Sequence, residues 1–149
     1  MSAVVTIAVV AGSVPALQPI LLGGLMSEGR IDAAAIGYAA TAEGAGMALA
    51  SAICSAALRP ARLRAITGAA IFAVLVANLT TILLPAPGII AARAISGVGN
   101  GILLWVLVGM MTRAAVPTRL FAIFVTAQTS LGFLLSLFLA TFDRFWPRW

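Results

Sequence analysis

The chain has 149 residues, of which 62% are hydrophobic and 9% are charged, with a formal net charge of +5. So few polar side chains cannot coat a soluble domain of this length, which excludes an ordinary globular protein and indicates a membrane protein. All nine basic residues are arginines that form no basic run, so we expect no nucleic-acid partner. With no histidine, four acids and a lone Cys54, the chain offers little for metal, cofactor or hydrolytic chemistry, and we do not expect an enzyme.

Long apolar stretches fill the chain, at residues 3–25, 34–58, 66–84, 88–111 and 120–142. Each has about 20 residues, which is enough for a helix to cross a hydrocarbon core about 30 Å thick. Within lipid every backbone group must be paired inside its own segment, so the stretches should be helices. The sequence therefore predicts one all-α membrane domain over residues 1–149, a bundle of about five transmembrane helices.

The first stretch contains two prolines one turn apart, Pro15 and Pro19, with Gln18 between them. Each proline removes an N–H and crowds the carbonyl four residues earlier, so this helix should be kinked. Freed carbonyls in a membrane are tolerated where they are buried in protein or line a watery cavity. A bent packing helix and a cavity wall both remain open, and Gln18 slightly favours the cavity wall.

The second stretch carries small residues every four positions, and these predict a face for close helix packing. They are Ala40, Gly44, Ala48, Ala52 and Ala56. On this interpretation a Gly44→Leu change should disrupt the packing. The lone Cys54 in the same stretch is interpreted as a small packing residue.

Glu43 lies near the middle of the second stretch. A charge at the centre of a bilayer costs roughly 3 kcal/mol on insertion scales, so this carboxyl should be paired, protonated or facing water. Because apolar surroundings favour its neutral form, Glu43 is a candidate proton carrier. The competing interpretation is a structural hydrogen bond between helices.

The third and fourth stretches are joined by the short segment Pro85–Gly88, so these two helices should be antiparallel neighbours. Arg93, Gly97 and Asn100 then share one face of the fourth helix, because residues three, four and seven apart do so. Such a face would suit an anion or a carboxylate such as Glu43. The alternative is that Arg93 extends to the outer lipid headgroups.

Two amides in the remaining stretches are weaker candidates, Asn78 in the third and Gln128 in the fifth. Both types of side chain bond to a neighbouring helix more often than to a ligand. We therefore expect helix contacts for both, with Gln128 retained as a secondary candidate for the substrate path.

Arginines collect in alternate gaps between the stretches. Residues 58–65 contain Arg59, Arg62 and Arg64, and residues 112–119 contain Arg113 and Arg119, with no acid in either gap. Short loops rich in basic residues stay in the cytoplasm. The N-terminus should therefore be cytoplasmic.

The string RAISGVGNG, residues 93–101, resembles the fourth-helix signature of the major facilitator superfamily, in which an arginine precedes a Gln-Gly-x-Gly pattern. Arg93, Gly97 and Gly99 match, whereas Ser96 stands where glutamine is usual. The inner-loop string SAALRPARLR, residues 55–64, departs further, because Arg59 replaces the family's acid.

The resemblance implies an incomplete N-terminal six-helix half of a secondary transporter, with helices one and four lining a central cavity. With this interpretation we expect the chain in a plasma membrane of the bacterial inner-membrane type. Members of the family have two such halves that move against each other. We therefore expect a longer native chain, or a partner or oligomer that supplies the missing half. The implied substrate-facing residues are Gln18, Arg93 and Asn100, with Gln128 next, and Glu43 is implied in proton coupling, alone or with Arg93.

Few polar anchors in apolar helices are compatible with lipophilic compounds, small acids or sugars, and Arg93 gives a slight preference for anions. The alternative from another class is a non-transporting integral membrane protein with an assembly or structural role. In that case Glu43 and Arg93 would form a static ion pair. A pore is less favoured, since no polar face runs along one helix.

Overall fold

The computed structural model describes residues 22–57 and 63–145. The described part of the first stretch is helical over residues 22–27, here α1. It is followed by α2 (Ala33–Ala57), α3 (Leu63–Thr81), α4 (Ala86–Met111) and α5 (Pro117–Phe145). The all-α prediction is confirmed for the described residues, and the bounds of α2 to α5 agree with the predicted stretches to within three residues.

Polar and proline residues set the beginnings of these helices. Asp32 precedes α2, and its Oδ1 accepts a hydrogen bond of 2.7 Å from the N–H of Ala35, as an N-cap residue does. Gly29, at a φ of 69°, supplies the left-handed conformation that ends α1. Pro85 precedes α4, and Pro117 begins α5, where its missing N–H has no cost.

Three of the described helices are long and apolar enough to cross a membrane: Leu63–Thr81, Ala86–Met111 and Pro117–Phe138. The prediction of about five such helices is thus confirmed only in part. The second helix has 25 residues but is not one of these three. The first stretch before residue 22 lies outside the described residues.

Large apolar side chains on the surface support the assignment to a membrane. Phe72 on α3 is 70% exposed, and Phe133 and Phe138 on α5 are exposed to a similar degree. Water would penalise an apolar surface of this size, whereas lipid tails would cover it.

The described residues belong to two compact units, one comprising 25–112 and the other 22–24 with 113–145. Within residues 25–112, α2 and α3 both pack against α4. The third and fourth helices are antiparallel neighbours as predicted, since Arg93 meets Thr81 while Gly99 lies beside Ala70. The second and fourth helices run in the same direction, because Gly97 lies beside Glu43 and Gly101 beside Met47.

Against the described helices, α2 does not pack through the predicted face. Its stripe, residues 40, 44, 48, 52 and 56, is exposed, and a Cβ atom on Gly44 would have no atom of the described residues within 4 Å. At 3.6 residues per turn a strict spacing of four drifts by about 40° per step, so the stripe winds around the helix. The buried face mixes spacings of three and four, and its residues are Ala39, Glu43, Gly46, Ala50 and Cys54. Cys54 is a buried residue of this face, as interpreted from the sequence.

Candidate functional site

Glu43 lies inside the helix packing, on the buried face of α2. It is the eleventh residue of a helix that begins at Ala33, and it is 6% exposed. Its backbone contacts α4 at Gly97. Of the three states expected for this carboxyl (paired, protonated or facing water), the structure has the paired arrangement, because both of its oxygens have polar neighbours on α4.

Arg93 is also buried, and its exposed fraction is 2%. Its Nη2 donates hydrogen bonds to Asn78 Oδ1 at 2.7 Å and to Thr81 Oγ1 at 2.9 Å. Both acceptors belong to α3, so the guanidinium points into the helix packing and does not extend to the lipid headgroups. The expectation that Asn78 bonds to a neighbouring helix is confirmed, and its Nδ2 also donates to the carbonyl of Val74 at 2.8 Å.

The two charges lie together between α2 and α4. Arg93 Nη1 is 3.7 Å from Glu43 Oε2, which is an ionic contact but is longer than a hydrogen bond. Asn100 Nδ2 lies 3.4 Å from the other carboxylate oxygen, Oε1, and 3.5 Å from Ser96 Oγ. Arg93, Ser96 and Asn100 thus form one polar face of α4 opposite Glu43.

Glycines let the helices come close enough for these contacts. A Cβ atom on Gly97 would overlap the Glu43 carbonyl, and one on Gly101 would overlap the carbonyl of Met47. On α2, a Cβ on Gly46 would come to 2.7 Å from the carbonyl oxygen of Ala94. Small residues that allow backbones to touch are a usual basis of helix association in membranes. The serine next to this contact, Ser51, donates to the Gly101 carbonyl at 3.0 Å.

One donor in the cluster lacks an acceptor. Arg93 Nε is buried and has no hydrogen-bond partner among the described residues. An unsatisfied N–H in an apolar interior is costly, and native proteins contain few of them. The cluster therefore supplies hydrogen-bond acceptors for the Nη2 group of Arg93 but none for its Nε group.

The structure brings together three of the five predicted site residues, Glu43, Arg93 and Asn100. Gln128 is half-buried on α5, which belongs to the other compact unit. Gln18 lies outside the described residues.

Sequence reasoning missed two members of the cluster, Thr81 and Ser96. Thr81 could have been found from the short turn after α3, because this turn places Arg93 opposite the end of that helix. Residues 78 and 81 share one face there. The signal for Ser96 was its position three residues after Arg93 and four before Asn100. Hydroxyls are weak signals because they can bond to their own helix, and Thr81 Oγ1 does lie 2.8 Å from the Ala77 carbonyl.

The cluster combines one cation, one carboxylate and four neutral polar groups inside helices α2, α3 and α4, and two of these helices, α3 and α4, could cross a membrane. Ionisable residues in such a position are expensive, and they usually serve a transport path, a proton relay or helix association. Comparison with known protein families, curated proteins and solved structures gave no match, so the choice among these roles depends on the cluster itself.

Proposed function

We propose that this chain is the N-terminal part of a proton-coupled secondary transporter of small molecules, of the major facilitator type. Its location would be a plasma membrane of the bacterial inner-membrane type, with the N-terminus in the cytoplasm. In this proposal Arg93 and Asn100 face the substrate, with Gln18 and Gln128 as further path residues. Glu43 takes up and releases the coupled proton.

The observation that supports the proposal best is the buried pair of Glu43 and Arg93, held at 3.7 Å. At this distance, proton uptake by Glu43 breaks no direct hydrogen bond to Arg93. Arg93 and Asn100, which contact its two oxygens, would respond to that proton exchange. The fourth-helix resemblance at residues 93–101 supports the same assignment, because it places the arginine of the signature in this pair.

Flux measurements on the longest native form, reconstituted into proteoliposomes, test the proposal. A pH-sensitive dye inside the vesicles reports proton entry on addition of small acids, sugars or lipophilic compounds. Glu43→Gln should abolish the proton dependence of uptake. Tyr38→Phe is the matched control, because Tyr38 is an exposed residue of the same helix. Uptake that keeps its full proton dependence in Glu43→Gln would exclude Glu43 as the coupling group.

A second candidate, a non-transporting membrane protein with an assembly role, is favoured by the close contact of α2 with α4. Backbones that touch at Gly46, Gly97 and Gly101 make a pair of helices that resists separation. In that role the ion pair would be static and would direct helix association.

Exchanging the two charges separates these candidates. Glu43→Arg combined with Arg93→Glu keeps the attraction but moves the carboxyl to α4. An assembly protein should regain folding in the double variant relative to either single variant. A transporter should refold in the same way but lose its coupled flux, since the proton site has moved.

A further inference from the structure

The guanidinium of Arg93 makes its hydrogen bonds to neutral groups, whereas its counter-ion, Glu43, lies beyond hydrogen-bond distance from it. The hydrogen bonds of its Nη2 group go to the neutral oxygens of Asn78 and Thr81, at 2.7 and 2.9 Å. These acceptors fix the position of the group without cancelling its charge. The carboxylate of Glu43 lies 3.7 Å away, beyond hydrogen-bond distance.

The Nε group of Arg93 is the unsatisfied part of this arrangement. It is buried and has no acceptor among the described residues. Ionised donors form shorter and stronger hydrogen bonds to anionic oxygens than to neutral ones, and a guanidinium suits a carboxylate through its fixed geometry. An added carboxylate oxygen would therefore satisfy a donor that the described helices leave unpaired.

Glu43 is the acidic residue on α2, α3 and α4 that can balance the charge of Arg93. The other ionisable residues of α2 are Tyr38, which is exposed, and Cys54, about three turns away. The described ionisable residue of α3 is Arg64, near the opposite end from Thr81 and exposed. On α4 it is Arg93 alone. A neutral Glu43 would thus leave the charge of Arg93 unbalanced by α2, α3 and α4, which is costly in an apolar interior.

We propose that Arg93 binds a small monocarboxylate anion, which replaces Glu43 as its counter-ion when the carboxyl of Glu43 takes up a proton. One proton and one anion then enter together, and the site remains neutral. The inference rests on the proposed transport function, because Arg93 is buried and the anion must enter in a conformation that opens the site.

Binding of radiolabelled acetate to the full chain in lipid nanodiscs tests the inference. Equilibrium dialysis at mildly acidic and mildly alkaline pH, with empty nanodiscs as the background, gives the affinity. Because the proton and the anion favour each other, acetate should bind more tightly at the acidic pH, by about tenfold. The neutral isostere acetamide should show no such difference.

Three variants test which residues cause the pH dependence of acetate binding. Glu43→Gln carries a neutral side chain at all pH values, so it should bind acetate tightly at both. Arg93→Gln should lose binding. Arg64→Gln should bind as the parent chain does, since Arg64 is an exposed arginine outside the cluster, and this variant controls for general attraction of anions.

Equal acetate binding at the two pH values, or unchanged binding in Arg93→Gln, would overturn the inference. If Glu43→Gln does not fold, the pH dependence of acetate binding to the parent chain and to Arg64→Gln still tests the inference. Acetate binding without flux in proteoliposomes would overturn the transport function and keep the anion site. Proton-coupled flux without acetate binding at Arg93 would overturn the anion site and keep the transport function.

Discussion

Gly97 on α4 lies directly against the backbone of Glu43 on α2. A Cβ atom on Gly97 would lie 2.8 Å from the Glu43 carbonyl carbon and 2.9 Å from its Cα, and it would overlap the carbonyl oxygen. Arg93 is one turn earlier on the same face of α4. The absence of a side chain at position 97 therefore sets the helix separation at which Arg93 reaches the Glu43 carboxylate.

This contact predicts that Gly97→Ala weakens the association of α2 and α4. A Cβ that meets backbone atoms forces the helices apart, and overpacking of this kind costs roughly 1–3 kcal/mol. The fraction folded during titration of dodecyl sulfate into micelles containing the chain measures the loss. Gly109→Ala is the control, because a Cβ there would contact none of the described residues within 4 Å. A Gly97→Ala variant as stable as Gly109→Ala would contradict the contact.

Substitution by leucine should affect the stability of the bundle differently at two glycines of α2 that are two residues apart. Gly46 faces α4, where a Cβ would lie 2.7 Å from the Ala94 carbonyl oxygen, whereas a Cβ on Gly44 would meet no atom within 4 Å in the part of the chain that the structure describes. We expect Gly46→Leu to abolish the folded bundle and Gly44→Leu to keep its stability, in the same dodecyl sulfate titration. Equal losses in both variants would mean that the exposed stripe also packs against a helix.

The sequence was sufficient for the helix positions and for part of the cluster. Apolar length predicted α2 to α5 because lipid forces every backbone group into a helix. Glu43, Arg93 and Asn100 were predicted because polar residues stand out in apolar stretches.

The orientation of α2 about its own axis could not be predicted, and the reason is its composition. Alanine and glycine occur all around this helix, so no face is distinguished by size or hydropathy. The buried face is chosen by the fit of Gly46 and Ala50 against glycines of α4, which depends on the pairing of two helices. Thr81 escaped prediction because a threonine in a membrane helix can satisfy its hydroxyl alone.

The hydroxyl of Thr81 should contribute to stability through Arg93. Thr81→Val removes the oxygen that accepts the 2.9 Å hydrogen bond from Arg93 Nη2, and loss of an acceptor for a buried charged donor costs roughly 1–3 kcal/mol. Thr80→Val is the matched control, since the Thr80 hydroxyl bonds only to carbonyls of its own helix among the contacts described. We expect a lower unfolding free energy for Thr81→Val alone. A similar loss in the two variants would show that Arg93 does not depend on Thr81.

The ion pair should show energetic coupling between its two members. Removing one partner of a buried pair leaves an uncompensated charge, so Glu43→Gln and Arg93→Gln should each destabilise the bundle by about 3–5 kcal/mol. The double variant should be less destabilised than the sum of the two, because it leaves neither charge behind. A double-mutant cycle on the unfolding free energies measures the difference, for which contacting residues give roughly 0.5–3 kcal/mol.

The same cycle with Glu43 and Arg64 provides the comparison. Arg64 is exposed near the beginning of α3, away from the cluster, so the effects of Glu43→Gln and Arg64→Gln should add to within roughly 0.5 kcal/mol. Additive effects for Glu43 and Arg93 as well would show that the 3.7 Å contact contributes no interaction energy. Glu43 would then be stabilised mainly by neutral donors such as Asn100, and Arg93 by its bonds to α3.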